Sequence, residues 1–282
     1  MKTGIVLEGG AMRGLFTAGV LDVFMENGIT FDAAVGVSAG AVFGCNLKSH
    51  QIGRSIRYNK RFCRDKRYVS FIHWILTGDL YPVEFCYKTL PWEIDIFDRE
   101  TYEKDPMEFY VTVTNVQTGK PEYVKCEKGD EDDLKWFQAS ASMPVFANPV
   151  LIGDTLYSDG GTSDSVPLKF FEETGYDKIV VVTTQPKGYR KSKYKGLKLI
   201  KIILRKYPKL YEAMENRHIM YNETMDYIDK QEAAGKILVI RPTTKLKVKP
   251  AETNPDELER TYQNGREVGG KVLDSVKEFI SK

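Results

Sequence analysis

Residues 31–47 read FDAAVGVSAGAVFGCNL. A short apolar run from Ala33 to Val35 leads into Gly36-Val37-Ser38-Ala39-Gly40, and a small-residue helix is expected to begin near Ala41. Strand, tight turn and helix in that order make G-x-S-x-G, the nucleophile elbow. Such a turn holds its central residue strained and exposed, so Gly36 and Gly40 must lack side chains that would collide with the strand and helix. Ser38 would then stand at a helix N-terminus, where unpaired N–H groups and the helix dipole favour developing negative charge. The motif alone also suits an ordinary glycine-rich connection. The rest of the chain has to decide.

Upstream, GIVLE (residues 4–8) reads as a buried strand running into Gly9-Gly10-Ala11-Met12-Arg13-Gly14. Leu15, Ala18, Val20, Leu21, Val23 and Phe24 then recur at helical spacing until Asn27-Gly28 stops them. Ile29 to Val35 reads as the next strand. Strand–turn–helix twice over implies a parallel sheet with helices on its faces. Both turns lie at the carboxyl ends of their strands, where open α/β sheets place their sites. The glycine turn matches neither G-x-G-x-x-G nor a P-loop, because Ala11 sits at the second glycine position and no Gly-Lys-Ser/Thr follows. Its N–H groups are better read as an oxyanion hole facing Ser38.

Downstream, residues 51–67 carry seven basic side chains and are expected as a helix with a solvated basic face. Residues 68–108 are aromatic-rich (Trp74, Tyr81, Phe85, Trp92) and are expected to cover the sheet edge or the site. FYVTVTN (109–115) alternates as a strand and pairs with 122–126 across Gly119. Asp130 to Asp133 cap a helix. ASASMPVFANPV (139–150) and a hairpin-like segment lead to Ser158-Asp159-Gly160-Gly161, an aspartate ending an apolar strand. Pro167 opens a helix and KIVVVTT (178–184) reads as a buried parallel strand. Residues 187–209 hold ten basic residues and no acidic one; within them GLKLIKIILRK suits a basic amphipathic helix. That helix is either packed on the domain or a surface for anionic headgroups. Ile237 to Arg241 is a last strand, and Asn254-Pro255 opens a C-terminal helix of about 25 residues.

The chain of 282 residues, with 42% hydrophobic content, is long enough for a sizeable core. A net charge of +2 does not point to nucleic acid. Cys45, Cys63, Cys86 and Cys126 form no C-x-x-C pair and read as reduced thiols of a cytosolic protein. MKTGIVLEGG has no signal-peptide h-region, and the longest apolar run, about a dozen residues, is short of the roughly 18 that span a bilayer. The expected localisation is cytoplasmic, with peripheral membrane contact through the basic segment. No calcium-type loop or zinc motif is present, so no metal or other cofactor is expected.

A serine hydroxyl needs a base. Ser38, Asp159 and His218 satisfy the chain order of an α/β-hydrolase triad, although that fold supplies its outer oxyanion donor after a third strand and here the glycine turn follows the first. An aspartate held directly against Ser38 could also serve, in a dyad. Residue chemistry leaves both open. GGAMRG, GVSAG, ASASMPVF and DGG, in that order over about residues 1–185, resemble the patatin-like phospholipase family, in particular its bacterial members. The resemblance implies a three-layer α/β/α fold with a mostly parallel central sheet. It further implies a Ser–Asp dyad acting on fatty-acyl esters of phospholipids or lysophospholipids, with Ser38 as nucleophile and Asp159 as base. The oxyanion loop falls on Gly9, Gly10, Ala11, Arg13 and Gly14, and the motif glycines on Gly36, Gly40, Gly160 and Gly161. The family usually has glycine where this chain has Ala11; a methyl group there is tolerable at negative φ and costly at positive φ. One patatin-like domain is expected over residues 1–282, its motifs in 1–185 and the basic segment, last strand and long helix in 186–282. The alternatives are a Ser–Asp–His carboxylesterase or thioesterase and a non-catalytic membrane-binding module.

Overall fold

The computed structural model describes residues 1–281. Two strand–helix units open it: β1 (Thr3–Leu7), α1 (Gly14–Glu26), β2 (Ala33–Val37) and α2 (Ala39–Lys48). An excursion follows through α3 (Arg54–Phe62), α4 (Phe71–Thr77), a π-helical stretch (Phe85–Ile94) and α5 (Arg99–Lys104). The chain returns through β3 (Glu108–Asn115), β4 (Pro121–Lys125), α6 (Glu131–Ala141), β5 (Val150–Ile152) and β6 (Thr155–Asp159). It then runs through α7 (Leu168–Glu173), β7 (Lys178–Val182), α8 (Leu197–Ile203), α9 (Pro208–Ala233), β8 (Ile237–Ile240) and α10 (Pro255–Ser281).

The strands form one sheet in the order β5-β6-β3-β2-β1-β7-β8, with β4 also paired to β3. The pairs β3/β2, β2/β1, β1/β7 and β7/β8 are parallel; the antiparallel pairs lie at the β3 side. Alternation along the central strands shows both faces are covered. Ile5, Leu7, Val180 and Val182 join a core with Phe16, Leu21 and Phe24 of α1, Leu47 of α2 and Val276 of α10. Val6, Ala33, Val35, Ile179 and Val181 point the other way, onto Leu168 and Phe171 of α7 and Tyr221 and Ile228 of α9. Each fully buried aliphatic or aromatic side chain in these layers contributes about 1.5–3 kcal/mol relative to exposure. This is the three-layer α/β/α arrangement expected from the sequence.

Three local expectations change. The second strand starts at Ala33 rather than Ile29, because Gly28, at φ +67°, turns the chain so that the Ile29 N–H closes onto the Phe24 carbonyl at 3.0 Å. The basic face of α3 is not all solvated: Arg54 is buried, donating to the Asp95 carbonyl at 3.1 and 2.8 Å, and Arg57 forks onto the Asp95 carboxylate at 2.8 Å. These two arginines tie α3 to the end of the aromatic stretch, and Arg54 also reaches Asn46 of α2 at 3.3 Å. The amphipathic helix expected in the basic segment is only the seven residues of α8.

Candidate active site

The turn after β2 has the geometry that its sequence demands. Ser38 sits at φ +54°, ψ −121°, a sparsely populated region for a residue with a Cβ. Its carbonyl accepts from the N–H groups of Ala41 and Val42 at 2.9 and 3.0 Å, which starts α2. Its own N–H donates to Ser140 Oγ at 2.8 Å, and the Ser140 hydroxyl donates to the Thr112 carbonyl at 2.7 Å. Gly36 and Gly40 are required by space. A Cβ on Gly36 would lie 2.5 Å from Ala41 Cα, and one on Gly40 2.3 Å from the Leu7 carbonyl oxygen.

Asp159 reaches the same rim from the end of β6. Its main chain is fixed on both sides: its N–H donates to the Ser142 carbonyl at 2.9 Å, and its carbonyl accepts from Thr114 Oγ1 at 2.8 Å. Gly160 follows where a Cβ would stand 2.1 Å from the Thr112 carbonyl oxygen. The Gly161 N–H donates to Asp159 Oδ1 at 2.7 Å. Burial pushes the Asp159 carboxyl above its ordinary value, while the Arg217 guanidinium, the Ser38 hydroxyl and the Gly161 N–H pull it back toward the charged form. The serine and the aspartate therefore face each other at the carboxyl ends of neighbouring parts of the sheet.

The glycine turn lies against the elbow. A Cβ on Gly9 would meet the Val37 carbonyl oxygen at 2.9 Å and Ser38 Cβ at 3.0 Å, so only glycine lets the backbone come this close. Gly10 is pressed onto Thr184, and Gly14 onto Ala39. The N–H groups of Gly9, Gly10 and Ala11 have no acceptor among the described residues, which leaves them available to an incoming oxyanion. Ala11 stands at φ +48°, on the costly side of the condition set by its methyl group. Ala11→Gly is expected to raise stability by about 0.5–1 kcal/mol, the left-handed penalty less the added freedom of the unfolded glycine. Chemical denaturation checks it; a loss of stability would show that the methyl group makes contacts outweighing the strain.

Ser38, Asp159 and the glycine turn line a cavity of about 850 Å³, large among the roughly 300–1,000 Å³ of small-molecule pockets. Its deeper wall is apolar and aromatic, with Val42, Phe43, Leu80, Tyr87, Leu90 and Phe137. The excursion from residues 68–108 thus covers the site, as one of its two expectations had it. Burial keeps the Tyr58, Tyr68 and Tyr87 phenols neutral. Val145 holds a strained φ of +79° beside the cavity wall, fixed by a 2.8 Å bond from Trp74 Nε1 to its carbonyl. The four cysteines are free; burial pushes the Cys45 thiol up to about 12, which makes it inert.

No histidine lines the cavity among the described residues. His218 lies on α9 with Nδ1 against its own helix, at the Glu215 carbonyl 3.1 Å away. Its neighbour Arg217 is the α9 side chain that enters, donating through Nε to the Gly161 carbonyl and through Nη1 to the Tyr194 hydroxyl. Lys191 enters too, with Nζ 4.3 Å from the Tyr221 ring centroid. Glu8 is buried behind the glycine turn, accepting from the Thr184 N–H and, at 2.9 Å, from the Tyr221 hydroxyl. Sequence reasoning missed Ser140, Glu8, Lys191 and Arg217. Only Ser140 lay inside a motif block that could have flagged it; Glu8 ends the strand that runs into the glycine turn.

The sequence model of the patatin-like phospholipase family matches residues 5–171, and that of a domain of unknown function (DUF6363) matches residues 207–281. The chain is 26% identical over 297 residues to the uncharacterized protein YjjU of Escherichia coli, covering 100% of this chain and 80% of that one. It is 27% identical over 188 residues to lysophospholipase NTE1 of Debaryomyces hansenii, covering 64% of this chain but only 12% of that protein. Among solved structures, VipD from Legionella pneumophila aligns at a TM-score of 0.46 and 13% identity, covering 97% of this chain and 67% of that one. That last likeness is too loose to bear on the site.

Proposed function

Because the chain belongs to the patatin-like phospholipase family, whose members are lipid acyl hydrolases, we propose that it cleaves fatty-acyl esters of phospholipids or lysophospholipids with Ser38 as nucleophile and Asp159 as base. The observation that carries this reading is one juxtaposition. A serine on a strained elbow faces a buried carboxyl beside unpaired backbone N–H groups, at the mouth of an apolar cavity.

The steps follow from the groups in place. The Asp159 carboxylate accepts the Ser38 proton as Oγ attacks the ester carbonyl. The N–H groups of Gly9, Gly10 and Ala11, with the positive end of α2, hold the oxyanion. Collapse expels the alcohol, which takes the proton from Asp159. A water molecule then gives a proton to Asp159 and attacks the acyl-enzyme; collapse breaks the bond to Ser38 Oγ, which takes that proton back from Asp159, and the fatty acid leaves. The apolar wall takes the acyl chain; Arg13, at the basic position of the oxyanion loop, lies at the polar end. A fluorophosphonate is expected to label the chain at Ser38, and a lysophospholipid to block that labelling while free fatty acid accumulates. Labelling at another serine, or no release of fatty acid, would sink the assignment.

The same reading includes peripheral contact with an anionic membrane. α8 exposes Leu199, Ile202 and Ile203 beside Lys198, Lys201 and Arg205, and α4 exposes Phe71, Ile72, Ile75 and Leu76. Phe71 of α4 and Lys193 to Lys195, just before α8, line the same cavity, so both patches flank its rim. The chain is expected to sediment with vesicles containing anionic lipid more than with neutral ones, and less as salt screens the lysines. Ile75→Ser with Leu76→Ser should weaken sedimentation in both cases. Equal sedimentation with both vesicle types would remove the electrostatic part of the proposal.

A further inference from the structure

The polar end of the cavity brings together more basic side chains than acidic ones. Arg13, Lys191 and Arg217 face one another there, close enough for each arginine to disfavour the charge on Lys191. The acids present are Glu8 and Asp159. Both are engaged: Glu8 accepts from the Thr184 N–H and the Tyr221 hydroxyl, and Asp159 Oδ1 from the Gly161 N–H. Three basic groups thus face two carboxylates in a largely desolvated place. Arg13 Nε is buried with no hydrogen-bond partner, and Lys191 Nζ rests on the Tyr221 ring with no carboxylate paired to it. Burial, with Arg217 beside it, brings the Lys191 amine down to about 7. An anion would relieve this arrangement.

Lys191 and Arg217 come from outside residues 5–171, the stretch that matches the patatin-like family. They are held with some care. The Lys191 backbone is clamped at both ends by the Asn222 amide, at 2.8 Å to its N–H and 3.0 Å to its carbonyl. Arg217 is oriented by the Gly161 carbonyl and the Tyr194 hydroxyl, and Gly161 is itself the residue that donates to Asp159. The basic side chains and the Ser38–Asp159 pair thus share one wall.

We propose that Arg13, Lys191 and Arg217 form an anion subsite that takes the phosphate of the lipid headgroup while the acyl chain fills the apolar wall. The proposal deepens the acyl-hydrolase reading and rests on it. A phosphodiester brings one negative charge and oxygens suited to a guanidinium fork and an ammonium point charge. The subsite makes the enzyme selective for phosphate-bearing esters over neutral glycerides of the same chain.

The test compares 1-decanoyl-lysophosphatidylglycerol with 1-decanoylglycerol. The native chain is expected to favour the phosphate-bearing ester in kcat/KM. Lys191→Met and Arg217→Met should each lower that ratio on the order of ten-fold, mainly through KM, and Lys191→Arg should restore most of it. A ratio unchanged in both Met variants, or an equal loss on both substrates, would overturn the subsite. Calorimetric titration of a non-hydrolysable decyl ether of phosphoglycerol reads the subsite without hydrolysis, with about a ten-fold rise in Kd expected for Lys191→Met. Normal binding differences with no hydrolysis of either ester would keep the subsite and sink the hydrolase. Equal inhibition of both esters by inorganic phosphate alone, with no weakening of the ether in Lys191→Met, would mark a free-phosphate site rather than a headgroup site and overturn the proposal.

Discussion

Ester hydrolysis by the Ser38→Ala variant is expected to fall on the order of 10⁴–10⁶-fold with the fold intact, the scale seen when a nucleophile that acts with its base is removed. Asp159→Asn should fall comparably. The amide keeps the volume and can still accept the Gly161 N–H that holds Oδ1 at 2.7 Å, but it cannot take the Ser38 proton. His218→Ala separates this pair from a triad: its ring bonds its own helix, so the variant should keep most of its activity. The pH profile provides a second readout. Burial raises the Asp159 carboxyl, so the acid limb of kcat/KM should lie above the ordinary carboxylate range, with activity lost as pH falls through it. Arg217 is the largest influence pulling that value down, so Arg217→Met should move the limb to higher pH. A collapse of activity in His218→Ala, or full activity in Asp159→Asn, would overturn the dyad.

The parts of this site that could be read from the sequence are those in which the backbone does the work. Gly9, Gly36, Gly40 and Gly160 each sit where a Cβ would come within 3 Å of a main-chain oxygen or carbon, so the chain has to spell glycine and the spelling is visible. The central strands were legible because both faces are buried and the run of apolar residues is unbroken. Side chains arriving from distant segments left no such mark. Arg217 lies 56 residues from the carbonyl it binds, inside a helix that carries many other charges, and nothing local distinguishes it. Lys191 looked like one more lysine in a basic run, yet its amine turns in onto the Tyr221 ring, while Lys193 and Lys195, which also line the cavity, stay exposed. Arg54 misled for the same reason: its partner, the Asp95 carbonyl, is 41 residues away. Tertiary partners, rather than composition, decide whether a basic residue is surface or site.

A single added methyl group on α10 should destabilise the protein where helix propensity says it ought to help. Gly265→Ala exchanges the poorest common helix residue for the best, worth about 1 kcal/mol in favour of the variant in an exposed helix. At this position the new Cβ would stand 2.0 Å from the Phe16 carbonyl oxygen of α1, and Gly19 on the facing helix has only 2.2 Å to the Tyr262 carbonyl oxygen. No rotamer relieves a clash between a Cβ and a backbone oxygen, so the helices must separate. Separation strains the Tyr262 hydroxyl bond to Asp22, now 2.6 Å, and the Arg266–Glu26 ion pair at 2.8 Å. Overpacking costs about 1–3 kcal/mol and occasionally more; at about 2–4 °C per kcal/mol for a large domain, the midpoint should drop several degrees. Gly270→Ala on the same helix meets open space and should gain up to about 1 kcal/mol, so the pair holds propensity constant and varies only the contact. The effect should also reach the site, because α1 begins at Gly14, directly after the glycine turn. Activity of Gly265→Ala should therefore fall at temperatures where it is still folded, while Gly270→Ala keeps it. Stabilisation by both substitutions would mean that α10 does not lie against α1 at this distance.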